Sequence, residues 1–279
     1  MPERHRVADI PISRRTLLAL GGGAAAAAFL AACSTDNAAA PNSSSSTPPV
    51  SAVPGGAVTF TPAQGATGFD PLGPVLVTAT AGTLAEVTMT NDQGRVIAGI
   101  MTPDGLTWKP DTPLGYDRTY QLTVTSRDEQ GRENQFSSTF STVKPDNLTA
   151  ASLVSTGGGA LSDGATYGVG IVAVIRFDEP IPDRAAAQRC LTVQTEPAVE
   201  GQWSWVDDQN VHYRPREYYP PGTAVTVRAD IYGVDLGNGL YGQEDLTRSF
   251  VIGNSHVSIA DDTTKQVEVY DNGQLVRTM

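Results

Sequence analysis

The first thirty-three residues hold two groups whose type and spacing carry chemistry: the adjacent Arg14 and Arg15, and Cys33 at the end of Leu30-Ala31-Ala32-Cys33. Two permanently charged guanidinium forks ahead of a short apolar segment suit recognition by carboxylates and read as a twin-arginine export signal. The apolar stretch 16–30 is shorter than the ~20 residues that span a bilayer, so it is expected to act as a signal and not as a permanent helix. Ala31 and Ala32 are small enough for a peptidase site, and the Cys33 thiol is the group that takes a thioether-linked lipid before becoming the new N-terminus. Each buried methylene of that lipid contributes about 0.8 kcal/mol, so two or three acyl chains hold firmly. The expectation is a signal peptide over 1–32, lipidation at Cys33, and a place on the extracytoplasmic face of the cell membrane.

The other reactive side chains assemble into nothing comparable. Cys190, in Gln188-Arg189-Cys190-Leu191, has no neighbouring histidine and reads as an inert thiol buried on the inner face of a short helix. With Cys33 committed to lipid, no disulfide within one mature chain is expected. The histidines His5, His212 and His256 are scattered, His5 leaves with the leader, and no zinc spacing exists. Gly157-Gly158-Gly159 lacks the Gly-Lys-Ser/Thr ending of a phosphate loop. Asp235, Asp261 and Asp262 sit in turns that do not reproduce a calcium loop. No catalytic residue, metal or cofactor is therefore assigned. Trp203, Trp205, Tyr218 and Tyr219 remain as candidates for glycan stacking or domain-interface packing, with packing favoured. Alternation along the strand is expected to bury one tryptophan and expose the other.

Removing 1–32 takes away four arginines against Glu3 and Asp9, which moves the formal charge from -11 to -13. A chain this acidic has no electrostatic footprint for nucleic acid.

The elements that must position these side chains are mostly strands. Residues 33–53 are Ser, Thr, Ala, Asn and Pro with little to bury, a disordered tether. Beyond it the apolar period is two: Val75, Val77 and Ala79; Ile171, Ala173, Ile175 and Phe177; Val225, Val227 and Ala229. The best helical stretch is 183–191, after Pro182, and is expected to lie across one end of a sandwich. An internal repeat pairs Trp108-Lys109-Pro110, followed by Tyr120, Leu122 and Val124, with Tyr213-Arg214-Pro215, followed by Val225, Val227 and Ala229. The repeat length, Trp108 to Tyr213, is close to one immunoglobulin-like domain. The fold class is thus all-β, with two tandem immunoglobulin-like β-sandwiches at 54–146 and 147–252. The tail 253–279 reads as three short strands, the last two a hairpin around Asp271-Asn272-Gly273, and as the first strands of an incomplete β-rich domain.

Residues within the second sandwich carry a resemblance. Gly164-Ala165-Thr166-Tyr167-Gly168-Val169-Gly170, Ile175-Arg176-Phe177-Asp178-Glu179-Pro180-Ile181, Gly201-Gln202-Trp203-Ser204-Trp205, His212-Tyr213-Arg214-Pro215, Gly233-Val234-Asp235 and Tyr241-Gly242 resemble the second immunoglobulin-like domain of mycobacterial-type L,D-transpeptidases. The tail resembles the opening strands of their catalytic domain. The resemblance implies a membrane-anchored envelope protein acting on peptidoglycan, in a family that forms 3-3 cross-links through a cysteine in a motif reading roughly Ser-His-Gly-Cys-x-Asn. That motif is absent from this sequence, so catalysis is carried over onto no residue here. Two functions stay open: the anchoring and spacing front part of such an enzyme, or a non-catalytic lipoprotein whose domains bind peptidoglycan or an envelope protein.

Overall fold

The computed structural model describes residues 57–279. The leader, Arg14, Arg15, Cys33, the tether and residues 54–56 lie outside the described residues.

Eight strands form the first sandwich: β1 (Val58–Thr61), β2 (Leu76–Ala79), β3 (Thr83–Asn91), β4 (Val96–Ile97), β5 (Gly99–Met101), β6 (Thr107–Pro110), β7 (Thr119–Arg127) and β8 (Glu133–Ser141). They make two sheets, ordered β1-β2-β6-β5 and β4-β3-β7-β8. Val77, Met89, Leu122 and Val124 are completely excluded from water between them. β7 shows why: Tyr120, Leu122 and Val124 alternate with Thr119, Gln121 and Thr123, so one face is apolar and the other hydroxylated.

The second sandwich follows with β9 (Asn147–Thr149), β10 (Ala151–Val154), β11 (Thr166–Tyr167), β12 (Ala173–Phe177), α1 (Arg184–Arg189), β13 (Leu191–Glu196), β14 (Gly201–Trp205), β15 (Asn210–Pro215), β16 (Ala224–Ala229), β17 (Leu240–Gly242) and β18 (Leu246–Ile252). Its sheets run β10-β12-β15-β14 and β11-β18-β16-β13, and β17 pairs in parallel with β9. The neighbour relations β1-β2-β6-β5 and β3-β7-β8 recur as β10-β12-β15-β14 and β13-β16-β18. The internal repeat is therefore a repeat of topology.

The repeated aromatic has the same job in both copies. A Cβ added to Gly99 on edge strand β5 would lie 2.2 Å from the Trp108 ring, and one added to Gly201 on edge strand β14 would lie 2.5 Å from the Tyr213 ring. Each ring covers the glycine of the neighbouring edge strand and fills the core beneath it.

The copies differ between β2 and β3, where a short turn in the first becomes α1 in the second. Asp183 Oδ1 caps this helix by accepting from the Ala186 N–H at 2.9 Å, one donor that the first turn would otherwise leave unpaired. The helix is shorter than the 183–191 expectation because Asp183 and Cys190 are its caps. Cys190 is half-buried at the C-terminal cap and packs against the second core from there.

The tail forms a third sheet of β19 (His256–Asp261), β20 (Gln266–Asp271) and β21 (Gln274–Thr278). Asn272 and Gly273 both take positive φ, at 47° and 79°, as a two-residue hairpin of primed type requires. Val257 packs against the second core, whereas Ile259, Leu275 and Val276 are exposed.

Gly201→Ala and Gly99→Ala should each cost about 1–3 kcal/mol in urea unfolding, because the new methyl must displace a packed ring. Gly168→Ala is the control, since its Cβ meets nothing within 4 Å and its φ is ordinary. It should be neutral or slightly stabilising; equal losses at all three positions would refute the ring-cover account.

Candidate functional site

Two places gather polar chemistry: an arginine-lined groove on the second sandwich and a tyrosine cluster where the two sandwiches meet.

The groove grows out of β15. Arg214 points outward while Tyr213 and Pro215 are buried, and the chain then turns through Arg216, Glu217, Tyr218 and Tyr219. The Tyr219 N–H donates to Val169 O at 3.1 Å and the Arg216 N–H to Glu200 O at 3.0 Å, so both ends of this segment are pinned. Tyr218 is 62% exposed and rests against Gly170, where an added Cβ would be 3.4 Å from its ring. Two adjoining hollows result, sharing Arg214, Pro215 and Arg216. One of about 340 Å³ is walled by Gly170, Val172, Glu217 and Tyr218. The other, of about 490 Å³, is walled by Glu200, Gly201 and Gln202. Among the described residues neither Arg214 nor Arg216 joins an ion pair. Two guanidinium groups outside any ion pair, with Glu200 and Glu217 also in the walls and an exposed aromatic ring beside them, suit a ligand that presents a carboxylate to the arginines next to a flat apolar face.

The other candidate aromatics have structural partners. Tyr219 is buried at 1% exposure and its hydroxyl has no hydrogen-bond partner. Trp203 meets the Tyr213 ring edge-on at 5.2 Å. Trp205 stacks on Phe177 at 6.0 Å, donates from Nε1 to Gln188 Oε1 at 3.1 Å, and carries the Arg184 guanidinium over its ring at 5.6 Å. Both tryptophans are half-buried on the same side of edge strand β14. The expectation that one is buried and the other exposed is corrected: residues two apart on a strand share a face.

Among the described residues no activated nucleophile emerges. The Cys190 Sγ lies 3.4 Å from Ala186 O, and burial pushes the thiol pKa up, only partly opposed by Arg189. A thiol held protonated at neutral pH is a poor nucleophile. The aspartate turns use their carboxylates locally: Asp235 Oδ1 accepts from the Gly237 N–H, Asp261 Oδ1 from the Thr263 N–H, and Asp262 pairs with Lys265.

The tyrosine cluster was missed by sequence reasoning. Tyr120 at the start of β7 accepts from the Gly115 N–H at 2.8 Å through its phenol, the corner arrangement of immunoglobulin-like sandwiches. Thr142 Oγ1 donates to Gly115 O at 2.7 Å and accepts from the Arg118 N–H at 3.1 Å. The loop 114–118 is thereby fixed with Tyr116 aimed at the second sandwich. There the Tyr116 hydroxyl accepts from the Gly233 N–H at 2.6 Å and donates to Gly242 O at 2.8 Å. Tyr232 reaches the other way, its hydroxyl donating to Leu114 O. The Tyr116 ring packs on Tyr232 at 4.9 Å and on Tyr241 at 5.8 Å. Gly242 must be glycine, because a Cβ there would lie 2.1 Å from Ile231 O. Three neutral hydrogen bonds and two ring pairs, at the low end of about 0.5 kcal/mol each, sum to about 2.5 kcal/mol, roughly a sixtyfold preference for the docked arrangement. The signal available in the sequence was the recurring Gly-Tyr or Tyr-Gly step at 115–116, 232–233 and 241–242.

A profile described as bacterial Ig domain matches residues 66–235, across both sandwiches. The chain belongs to the bacterial Ig-domain family. It is 41% identical to L,D-transpeptidase 2 of Mycobacterium tuberculosis over 222 residues, which is 80% of this chain and 53% of that protein. It is 37% identical to L,D-transpeptidase 5 of the same species over 227 residues, 80% of this chain and 49% of that one. The crystal structure of Mycobacterium tuberculosis L,D-transpeptidase 1 aligns over 43% of this chain and 51% of its own, at 28% identity and a TM-score of 0.32. The chain is thus similar to L,D-transpeptidases through most of its own length, and it spans about half the length of the curated relatives it matches.

Burial pushes the Tyr116 phenol up to about 12, with the Gly233 hydrogen bond opposing the shift. Its pKa is raised in the folded state above the ordinary 10, so the stability it contributes is fully present below pH 10 and is lost as pH rises from 10 towards 12. Burial also raises Tyr213, Tyr219, Tyr232 and Tyr241, so absorbance titration at 295 nm should show a late tyrosinate rise whose amplitude falls by one phenol in Tyr116→Phe; a variant that instead loses one phenol from the ordinary step near 10 would count against the buried position.

Proposed function

We propose that this chain is the membrane-anchored, non-catalytic front part of an L,D-transpeptidase that forms 3-3 peptidoglycan cross-links. In this reading Arg14 and Arg15 direct export, Cys33 carries the lipid, and the tether and two bacterial Ig domains set how far from the membrane the catalytic domain meets the wall. The observation that carries it is the 41% identity to L,D-transpeptidase 2 through 80% of the chain. The sequence from residue 253 onward opens the catalytic domain, whose cysteine motif is absent from these residues.

The groove gives the second bacterial Ig domain a part in this. Arg214 and Arg216 take carboxylates of the peptide stems, and Tyr218 offers a face to the adjoining sugar. A second reading, a non-catalytic lipoprotein that holds peptidoglycan through the same groove, draws on Arg214 and Arg216, neither of which joins an ion pair among the described residues.

Three measurements bear on these readings. Cys33→Ser should shift the native protein from the membrane to the soluble fraction and abolish incorporation of labelled fatty acid; retention of label would remove the anchor from the proposal. The intact mass of the membrane-extracted protein separates the two functions. A mass above that of residues 33–279 plus lipid supports the transpeptidase, and a mass equal to it supports the binding lipoprotein. Arg214→Ala with Arg216→Ala should reduce affinity for purified peptidoglycan sacculi, read by co-sedimentation, by roughly a hundredfold at low salt, the loss expected for two charge-assisted contacts of roughly 1.5 kcal/mol each. Unchanged co-sedimentation would take the groove out of both readings.

A further inference from the structure

We propose that the reciprocal tyrosine contact between the two sandwiches is a lock that makes them a single rigid body, and that the Tyr116 hydroxyl is its bolt. The inference goes beyond anchoring or wall binding, and its test reads geometry whether or not either of those holds.

Tandem domains joined by a short linker commonly move against each other, because interfaces within a chain are small and polar. Here two independent features oppose that motion. The first is the linker itself. Thr142 and Val143 donate their N–H groups to Arg118 O and Phe69 O on the first sandwich, at 2.9 Å each. Asp146 donates to Gly239 O at 3.0 Å on the second, and β9 continues directly into parallel pairing with β17. The connection is bonded to one sandwich at its start and to the other at its end, with no free stretch long enough to act as a hinge.

The second feature is the exchange of phenols. Tyr116 from the first sandwich both accepts and donates across the joint, to the backbone of Gly233 and Gly242. Tyr232 from the second returns a bond to Leu114 O. All three partners across the joint are main-chain atoms, whose positions are set by the fold. A rotation of one sandwich against the other must break them together. Gly233 adds a steric stop, since a Cβ there would lie 2.8 Å from the Leu72 side chain. The joint therefore has a defined angle as well as an attraction: hydrogen bonds lose strength steeply on misalignment, whereas apolar contact alone would permit sliding.

The test is a distance distribution by double electron–electron resonance in the full chain carrying Cys33→Ser and Cys190→Ser, with spin labels at Gln130→Cys on the first sandwich and Gln194→Cys on the second. Both positions are exposed and away from the joint. The lock predicts one narrow distribution, at least doubled in width or split in two by Tyr116→Phe. Tyr232→Phe, which removes one bond instead of two, should broaden it less, and it serves as the deciding variant should Tyr116→Phe fail to fold. Tyr270→Phe removes a phenol that bonds only Glu268 in the third sheet and should change nothing. A broad distribution in the parent protein, or equal widths in the parent and the folded joint variants, overturns the proposal.

Discussion

Val77, Leu122 and Val227 have no contact with water, and on each of their strands the residues on either side are half-buried or exposed. That one-faced apolar pattern is what the structure depends on. A sheet carrying it is unstable until a second sheet covers it, and burying a side chain of this size contributes roughly 1.5–3 kcal/mol. Two sheets of three or more strands can satisfy one another in this way; a third sheet of three strands with Ile259, Leu275 and Val276 in water does so only through Val257. The tail thus differs physically from the two sandwiches that precede it, although its strands are as regular.

The same constraint explains the edge strands. β5 and β14 pair on one side only, and each begins with a glycine covered by a ring from the next strand in the sheet. Trp108 and Tyr213 thereby extend the core to the margin of the sheet, where an ordinary side chain would leave it open. In the second sandwich α1 does similar work on the far end of β14: Gln188 and Arg184 hold Trp205 against Phe177. Trp203 and Trp205, for which packing was the favoured expectation, help close the core, and the exposed polar chemistry lies next door, on the outward side of β15 and the turn after it.

Function belongs to sites on a scaffold, and among the described residues the side chains with reactive chemistry are engaged locally. The one described thiol is held protonated by burial, and the turn aspartates are spent on backbone N–H groups. What remains is orientation. The first sandwich meets the second, which carries the groove, through main-chain acceptors and donors, so their positions are set by the backbone of both.

The sequence by itself determined the fold class, because strand periodicity is a local signal: a two-residue alternation and a turn such as Asp271-Asn272-Gly273 are readable within ten residues. It also determined the repeat, since Trp108 and Tyr213 stand in equivalent sheets and equivalent jobs. It misjudged Trp203 and Trp205, where the alternation rule itself puts both on one face, and it placed Cys190 inside a helix that Asp183 and Cys190 in fact cap. The tertiary structure alone decided the joint. Tyr116 meets Gly233 and Gly242 across 117 and 126 residues of chain, and no periodicity reaches that far. A loop tyrosine looks the same in sequence whether its hydroxyl faces water or locks two domains, because the difference lies in which backbone groups the rest of the fold brings within 3 Å of it.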